Sequence, residues 1–248
     1  MKYLGGKMRL RKHIVPILQE HMRDIYIEPF IGSGWIFAEI DAPMMIGNDN
    51  HPDLMLMWQA LLDGWIPPKE VSEEEYQSLR HAEPSAPRGF VGFACSFGGK
   101  WFGGYARDPR TPRPYALQGH NSILAKIEKM KNKNIQFLCR DYRDLDIPTN
   151  ALVYADPPYN GYTQYKGSKF DSSIFWQWCR DQEALVFVSE YNAPDDFITV
   201  GSFQTKTNLK SKEKKLIPRL EKLFVHEKHL SRGKDRIEKG ARVYAANQ

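Results

Sequence analysis

Cysteine is scarce in this chain of 248 residues, and the three that occur, Cys95, Cys139 and Cys179, lie far apart. Such spacing matches neither a metal-binding cluster nor a disulfide framework, so we expect no structural metal. The chain also lacks an apolar run approaching the ~18–20 residues that cross a bilayer. Its first residues contain no apolar stretch of the kind that a signal peptide needs. These absences predict an intracellular, cytoplasmic protein without a membrane span.

Positive charge is distributed unevenly along the chain. The net charge is +5, but residues 203–248 hold thirteen Lys and Arg against five Asp and Glu, which leaves the preceding part net negative. This basic segment includes Lys206, Lys210 and Lys212, and a row of such side chains suits the phosphates of DNA, with binding that weakens as salt is raised. The alternative is a solvated basic hairpin or tail, which charge alone does not distinguish from a DNA-binding segment.

An apolar run over residues 151–155 ends in the tetrapeptide Asp156-Pro157-Pro158-Tyr159. Proline fixes φ near −65° and has no amide hydrogen, so consecutive prolines hold carbonyl oxygens that lack a local amide partner. The carboxylate adds a second acceptor, and the tyrosine ring offers a face on which a flat group can stack. The tetrapeptide therefore predicts a rigid pocket for a flat ring that carries an amino group. A simple strand-ending turn is the alternative, because Asp and Pro are frequent in turns.

A glycine motif lies near the start of the chain. A strand-like run over residues 25–28 leads into Phe30-Ile31-Gly32-Ser33-Gly34 and then into an apolar helical pattern over residues 35–40. A strand, a glycine turn and a helix allow the backbone to approach a ligand closely at the end of a parallel sheet. The next strand-like run ends at Asp49, where an acidic side chain is placed to bind ribose hydroxyls. A helix cap is the alternative role for Asp49.

Strand-like and helix-like segments alternate through most of the chain. This alternation predicts an α/β fold with a doubly wound, mostly parallel, Rossmann-like sheet, and with sites at the carboxyl ends of its strands. The predicted strands are residues 25–28, 44–47, 135–138, 151–155 and 184–189, and the main predicted helices are residues 8–22, 52–62 and 122–131.

Residues 66–119 interrupt the alternation with seven prolines and a cluster of glycines and aromatic residues. We predict an inserted target-recognition lobe there and a main domain formed by residues 1–65 and 120–248, of which residues 203–248 are the basic C-terminal segment. Lys100 and Arg107 are the lobe's candidates for contacts to DNA phosphates or a guanine edge. Helical spacing favours packing for three aromatic residues of the lobe, which are Phe93, Phe97 and Trp101.

These motifs, in their order along the chain, resemble those of the amino-group DNA methyltransferases that use S-adenosylmethionine. The resemblance rests on Tyr3-Leu4-Gly5-Gly6-Lys7, Glu28-Pro29-Phe30-Ile31-Gly32-Ser33-Gly34, Asn48-Asp49, Asp141-Tyr142 and Asp156-Pro157-Pro158-Tyr159. The glycine motif precedes the proline tetrapeptide, with a variable segment between them. That order is similar to the alpha group, which contains the bacterial Dam enzymes and their phage or prophage counterparts.

The resemblance implies a site-specific adenine N6-methyltransferase of double-stranded DNA, with S-adenosylmethionine as cofactor. It also implies cofactor contacts from Tyr3, Lys7, Phe30, Gly32, Gly34, Asp49, Asp141, Tyr142 and Asp156. Asp141 and Tyr142 would hold the cofactor's adenine, although Tyr142 as an ordinary core residue is an equal alternative. Asp156, Pro157, Pro158 and Tyr159 would form the catalytic pocket for an adenine flipped out of the duplex.

Two other functions stay open at this point. One is an amino methyltransferase with another acceptor, because the N4 amine of cytosine and the amide of glutamine also carry delocalised nitrogen lone pairs. Asp156 at the first position of the tetrapeptide favours adenine. The other is a DNA-binding relative without catalysis, against which the intact glycine turn and tetrapeptide argue. The expected partner is duplex DNA, with no metal and no membrane, and a monomer is expected.

Overall fold

The computed structural model of the protein describes residues 5–107, 114–158, 170–206, 218–230 and 242–244. Its helices are α1 (Arg11–Glu20), α2 (Pro52–Leu62), α3 (Glu73–Arg80), α4 (Ala86–Ala94), α5 (Tyr115–Met130) and α6 (Ser172–Asp181). Its strands are β1 (Ile25–Glu28), β2 (Met44–Asn48), β3 (Ile135–Leu138), β4 (Ala151–Ala155), β5 (Leu185–Glu190), β6 (Phe197–Lys206), β7 (Pro218–His226) and β8 (Arg242–Tyr244).

The chain divides into two compact units. The first contains Met1–Met8 and Pro29–Leu145, and the second contains Arg9–Glu28 and Asp146–Gln248. The predicted lobe, residues 66–119, belongs wholly to the first unit, where it includes α3, α4 and the start of α5. Its role as a separate target-recognition lobe stays a prediction.

The second unit contains strands paired in the order β1-β4-β5-β7-β6-β8. Strands β1, β4 and β5 are parallel, so that Ile27 lies opposite Val153, and Val153 lies opposite Val186. Strand β7 runs antiparallel to β5 and to β6, whereas β8 runs parallel to β6. All five residues of β4 are buried. A short, continuous apolar run of this kind is typical of a parallel strand that is covered on both faces.

The first unit contains the parallel pair β2 and β3, in which Met45 lies opposite Ile135. Helix α4 packs against α2, α3 and α5. Gly89 permits the close approach of α4 to α2, because a Cβ at this position would lie 2.2 Å from the carbonyl oxygen of Asp53. Ser85 caps the start of the same helix, because its hydroxyl accepts a hydrogen bond from the Arg88 amide at 3.3 Å.

The alternation of strands and helices and the mostly parallel pairing confirm the predicted Rossmann-like α/β fold class. The helix predicted over residues 35–40 is wrong in extent, since only one 3₁₀ turn, Phe37–Glu39, forms there. Gly34 precedes it with φ at +62° and Pro43 follows soon after, so an α-helix has little room. Helix α5 begins at Tyr115, earlier than predicted, directly after Pro114.

Candidate active-site residues

The glycine turn, residues 31–34, begins three residues after the end of β1. Side chains of the first unit contact it. Gly32 and Gly34 have φ of +46° and +62°, in the left-handed region that favours glycine. A Cβ on Gly34 would lie 3.0 Å from Cζ2 of Trp58. The indole Nε1–H of Trp58 donates to the Gly32 carbonyl at 3.1 Å. The turn is therefore closely packed on Trp58 at Gly34, where a side chain would press against the indole.

Asp49 follows β2, is only 9% exposed, and binds the glycine turn. Its Oδ2 accepts from the Gly32 amide at 3.1 Å, and its Oδ1 accepts from the His51 amide at 3.1 Å. Burial raises the pKa of Asp49 to about 6, against the opposing effect of these amide hydrogen bonds. The Asn50 amide is a third donor to this carboxylate, which leaves about one of its four lone-pair sites for another donor. Asp49 does not cap α2, whose N-cap residue is His51.

Asn48, the last residue of β2, is buried and joins two loops of the first unit. Its Nδ2 donates to the carbonyls of Pro29 and Arg140, each at 3.0 Å. Its Oδ1 accepts from the Arg140 amide, also at 3.0 Å. The loop that follows β1 and the loop that follows β3 are thus held by one amide side chain.

Two of the three aromatic residues predicted for the cofactor, Phe30 and Tyr142, come together in the structure. Their ring centroids lie 5.2 Å apart, and Tyr142 is buried. The Asp141 carboxylate accepts two hydrogen bonds from the Arg143 guanidinium, each at 2.8 Å, and a third from the Arg143 amide. This guanidinium lowers the pKa of Asp141. Asp141 therefore fixes the 3₁₀ turn Tyr142–Asp144 through Arg143.

Lys7 is buried, and its Nζ donates to the Gly5 carbonyl at 3.2 Å. Tyr3, predicted beside it, lies outside the described residues, as does Tyr159 of the tetrapeptide. A second buried lysine, Lys126 in α5, was not predicted from the sequence. Its Nζ donates to the Ser33 carbonyl of the glycine turn. Lysine is common on the exposed face of a helix, so the sequence carried no signal for this contact.

A cavity of about 140 Å³ lies at the carboxyl end of β4 in the second unit. Its walls include Pro157 and Pro158 after β4, Phe175 and Trp176 of α6, and Glu190 and Tyr191 at the end of β5. Pro157 is buried, whereas Asp156 is half-buried. The adjacent parallel strands β4 and β5 thus bring a proline pair and a polar segment together, with aromatic rings from a helix. We call this space the acceptor cavity.

The strands below the acceptor cavity are joined by a hydrogen bond between side chains. The hydroxyls of Tyr154 in β4 and Ser189 in β5 lie 2.9 Å apart, and both side chains are buried. Burial, and then the nearby Asp156 carboxylate, raise the pKa of Tyr154 well above its usual range. Tyr154 therefore stays neutral at physiological pH and can keep this hydrogen bond.

The glycine-aromatic loop, residues 96–105, carries Lys100 on its exposed surface. Its ends pair at Ser96 and Tyr105, and its Phe102 is buried. The expected packing of Phe97 is wrong, because its side chain is 69% exposed. Helix α4 ends at Ala94, so the helical spacing from Phe93, which is buried, does not extend to Phe97.

The remaining DNA-contact candidates differ in how far the structure describes them. Arg107 is exposed and pairs with Glu73 at 2.5 Å. Lys206 is the last residue of β6, and only its backbone is described. Lys210 and Lys212 lie outside the described residues.

The described residues contain no cluster of potential metal ligands and no helix suited to crossing a membrane. No group of three or more His, Cys, Asp or Glu in this part of the chain is arranged to hold a metal ion. Across the same ranges, no helix combines the length and the apolar character that crossing a membrane requires.

The parallel strands and the glycine turn fit a Rossmann-like fold, and the Asp-Pro-Pro end of β4 carries the motif that resembles those of amino-group methyltransferases. The profile of the family described as D12 class N6 adenine-specific DNA methyltransferase matches residues 3–90 and 110–174, and the chain belongs to this family. Membership in this family confirms the prediction that the protein is a DNA adenine methyltransferase. DNA is its substrate, and S-adenosylmethionine is the methyl donor.

Similar proteins include the DNA adenine methylases of two strains of Vibrio cholerae serotype O1. Each is 24% identical over 239 residues, covering 81% of this chain and 78% of the relative. Among solved structures, a protein of Listeria monocytogenes described as a class I S-adenosylmethionine-dependent methyltransferase matches with a TM-score of 0.43 and 9% identity. That match covers 98% of this chain, which spans 65% of the Listeria chain.

Proposed function

We propose that this chain methylates the N6 amino group of an adenine flipped out of double-stranded DNA. The glycine turn, Asp49 and the Phe30–Tyr142 pair hold S-adenosylmethionine, and the acceptor cavity holds the base. The observation that supports the proposal most directly is the lining of the acceptor cavity, which includes Pro157, Pro158, Phe175 and Trp176. Asp156 directly precedes the two prolines in the chain. Rigid prolines and aromatic rings suit a flat base, which can reach such a cavity only outside the duplex stack.

The first-unit residues suit S-adenosylmethionine chemically. Two glycines with positive φ form the turn without placing a side chain between its backbone and a ligand, and the Asp49 carboxylate keeps a lone pair for a ribose hydroxyl. The contact between Phe30 and Tyr142 supplies an aromatic surface for the cofactor's adenine. The other predicted cofactor contacts are Tyr3, Lys7, Asp141 and Asp156. When bound, S-adenosylmethionine supplies an electrophilic methyl group on a sulfonium sulfur.

Asp156 and Pro157 act on the amino group of the flipped base. The lone pair of an adenine amine is delocalised into the ring, which makes the nitrogen a weak nucleophile. The Asp156 carboxylate accepts one amino hydrogen and the Pro157 carbonyl accepts the other, which favours a pyramidal nitrogen with a localised lone pair. Holding the reacting groups in this orientation contributes on the order of 7–11 kcal/mol. Stacking by Tyr159 stays a prediction from the motif.

DNA is held by cations outside the acceptor cavity. Lys100 is exposed in the glycine-aromatic loop, which also exposes Phe97, and is suited to a phosphate contact. Arg107 supplies a second cation, which must first leave Glu73. Lys206, Lys210 and Lys212 extend the basic surface in the sequence. The division into lobe and main domain, the monomeric state and the cytoplasmic location stay predictions.

The test replaces Asp156 and follows both binding and chemistry. Asp156→Ala is expected to reduce methyl transfer to duplex DNA by at least about a thousandfold, because the amine loses its orienting acceptor. Binding of S-adenosylhomocysteine, measured by calorimetry, is expected to persist. Asp181→Ala, an exposed change at the end of α6, serves as the matched control with normal transfer. Near-normal turnover by Asp156→Ala would overturn the mechanism.

Product analysis separates the acceptor bases. Duplex DNA of mixed sequence is treated with the wild-type protein and labelled S-adenosylmethionine, digested to nucleosides and examined by mass spectrometry. N6-methyladenine is expected. N4-methylcytosine, labelled protein, or tight DNA binding without any transfer would each contradict the proposed function and support one of the alternatives.

A further inference from the structure

Lys126 is a buried cation behind the glycine turn. Its side chain is 2% exposed, and its Nζ donates to the Ser33 carbonyl. The ammonium also lies 4.5 Å from the ring centroid of Trp35 and 5.2 Å from that of Trp58. Both distances suit cation–π attraction. Lys126 therefore contacts the turn through one carbonyl and the two indoles beside it.

The surroundings of Lys126 offer no carboxylate as an ion-pair partner among the described residues. Among the described elements, those packed most extensively against α5 are α2, α4 and the 3₁₀ turn Phe37–Glu39. Their charged groups are engaged elsewhere, since Glu39 binds Lys129 and Asp53 binds Arg88. Within α5, Glu128 pairs with Lys131 just beyond the helix. Burial without a counter-charge lowers the pKa of Lys126 to about 7.

An unpaired buried ammonium is costly, and a leucine or methionine would fill the same space without that cost. Packing alone therefore does not explain a lysine here. Its particular contribution is a strong donor aimed at the Ser33 carbonyl, in a turn whose preceding carbonyl is bound by Trp58. The amide of Gly32 in this turn binds Asp49. A displacement of Ser33 would thus be transmitted directly to the Gly32–Asp49 contact.

We infer that Lys126 is a positioning residue, whose ammonium holds the glycine turn in the shape that binds S-adenosylmethionine. This inference rests on the proposed function, which assigns the cofactor to the turn and Asp49. Lys126 does not touch substrate; it acts through Ser33 and Gly32. Loss of its proton replaces a charge-assisted hydrogen bond by a weaker neutral one and removes the cation–π attraction.

The affinity for the cofactor should therefore fall as the pH rises through about 7, because the pKa of Lys126 lies there. Asp49 produces the acidic limb of this pH profile. Its carboxylate becomes protonated as the pH falls through its pKa of about 6, and the affinity for the cofactor falls with it. The two groups together give an affinity maximum between these values. Replacing Lys126 should abolish the alkaline limb, which is the fall in affinity above pH 7, and leave the acidic limb unchanged.

The experiment measures the dissociation constant of S-adenosylhomocysteine by calorimetry from pH 5 to pH 9. In the wild-type protein the constant is expected to rise about fivefold between pH 6.5 and pH 8.5, the difference between charged and neutral hydrogen bonds. Lys126→Met is expected to bind about fivefold more weakly at pH 6.5 and to lack the alkaline limb. Lys126→Arg, which stays charged, is expected to restore tight binding at pH 8.5.

The matched control is Lys133→Met. Lys133 follows α5 and also donates to backbone carbonyls, those of Ala38 and Ile40, but it does not contact the glycine turn. This variant is expected to keep both limbs. Lys126→Met should remain folded, because the change removes an unpaired buried charge, and thermal unfolding verifies this. A retained alkaline limb in Lys126→Met, or its loss in Lys133→Met, would overturn the inference.

Direct titration of the lysine adds a readout that needs no activity. Lysine side chains labelled with ¹⁵N are followed by NMR in the free protein, where one resonance is expected to titrate near pH 7 and to be missing from Lys126→Met. A wild-type protein that transfers methyl groups but shows no alkaline limb contradicts this inference alone. A wild-type protein that binds with the predicted pH profile but transfers no methyl group contradicts the proposed function alone.

Discussion

Titratable side chains are buried around the glycine turn, whereas the acceptor cavity is lined mainly by prolines and aromatic rings. Asp49 and Lys126 are both buried, with pKa values of about 6 and about 7. The cavity owes its walls to Pro157, Pro158 and the rings of α6. Proline, phenylalanine and tryptophan carry no titratable group, so covalent geometry and packing set the shape of most of the wall, to which Glu190 adds one carboxylate. Small changes of pH should therefore alter cofactor binding more than acceptor binding.

Among changes that separate the glycine turn from the acceptor cavity, Asp49→Ala should have the largest effect, and that effect is on cofactor affinity. The change removes the acceptor for the Gly32 and His51 amides and the proposed acceptor for ribose. Cofactor affinity should fall by about a hundredfold, since a hydrogen bond to a charged group contributes about 1.5–3 kcal/mol. Calorimetry with S-adenosylhomocysteine measures this loss. The control is Asp63→Ala, which changes an exposed carboxylate just after α2 and should bind the cofactor normally. Equal affinity of the two variants would show that Asp49 does not bind the cofactor.

Gly34→Ala tests how tightly the turn is packed. Gly34 and Gly64 both have positive φ, but only Gly34 would bring a Cβ against Trp58. Gly64→Ala should lower the free energy of unfolding by about 1 kcal/mol through backbone strain alone. Gly34→Ala should lower it by about 2 kcal/mol, because crowding against Trp58 adds to the strain. Urea denaturation measures the difference, and equal losses would mean that Trp58 yields without cost.

Lowering the pH should reduce cofactor affinity less than Asp49→Ala does. Between pH 7 and pH 5 the affinity for S-adenosylhomocysteine should fall about tenfold, because protonation of Asp49 with a pKa near 6 leaves about a tenth of it ionised. Stability should change in the opposite direction. A folded-state pKa above the unfolded value means that the folded protein binds more protons, so this contribution is lost as the pH rises from about 4 to about 6. Parallel calorimetry and urea titrations check both signs, and a pH-independent affinity would contradict the role of Asp49.

The smallest effect is expected outside both regions, at Lys100. Lys100→Ala should weaken DNA binding by about fivefold and reduce the slope of log affinity against log salt by about 1. Arg107→Ala should have a smaller effect, because Glu73 already neutralises this cation. Fluorescence anisotropy with a labelled duplex at several salt concentrations compares the two. Cofactor affinity should stay constant in both variants, and a salt slope that does not change would place Lys100 off the DNA.

Segments bounded by strong local signals were predictable from the sequence. The bounds of β1, β3 and β4 match the predicted ones, because short apolar runs end at polar or proline residues there. The bounds of α2 also match, since Pro52 occupies its first turn. The order of the motifs then sufficed to predict the family.

Features that depend on tertiary contacts were not predictable. A lysine in a helical pattern is expected in water, yet the packing of α5 turns Lys126 toward Ser33. Phe97 shows the reverse, because the chain leaves the helix before reaching it and its ring becomes exposed. Local periodicity gives the spacing of side chains along an element, but the neighbours that surround the element decide which of them are buried.

The hydrogen bonds of Asn48 limit which substitutions this position can accept during evolution of the family. Its amide uses both hydrogens and one oxygen lone pair to hold the backbone at Pro29 and Arg140. Aspartate would replace both donors by lone pairs facing carbonyl oxygens, and alanine would leave three backbone groups without a partner. Selection for folding alone should therefore retain asparagine, even in a descendant that has lost methyl transfer. We expect Asn48 to mark the inheritance of this architecture, independently of whether the catalytic carboxylate survives.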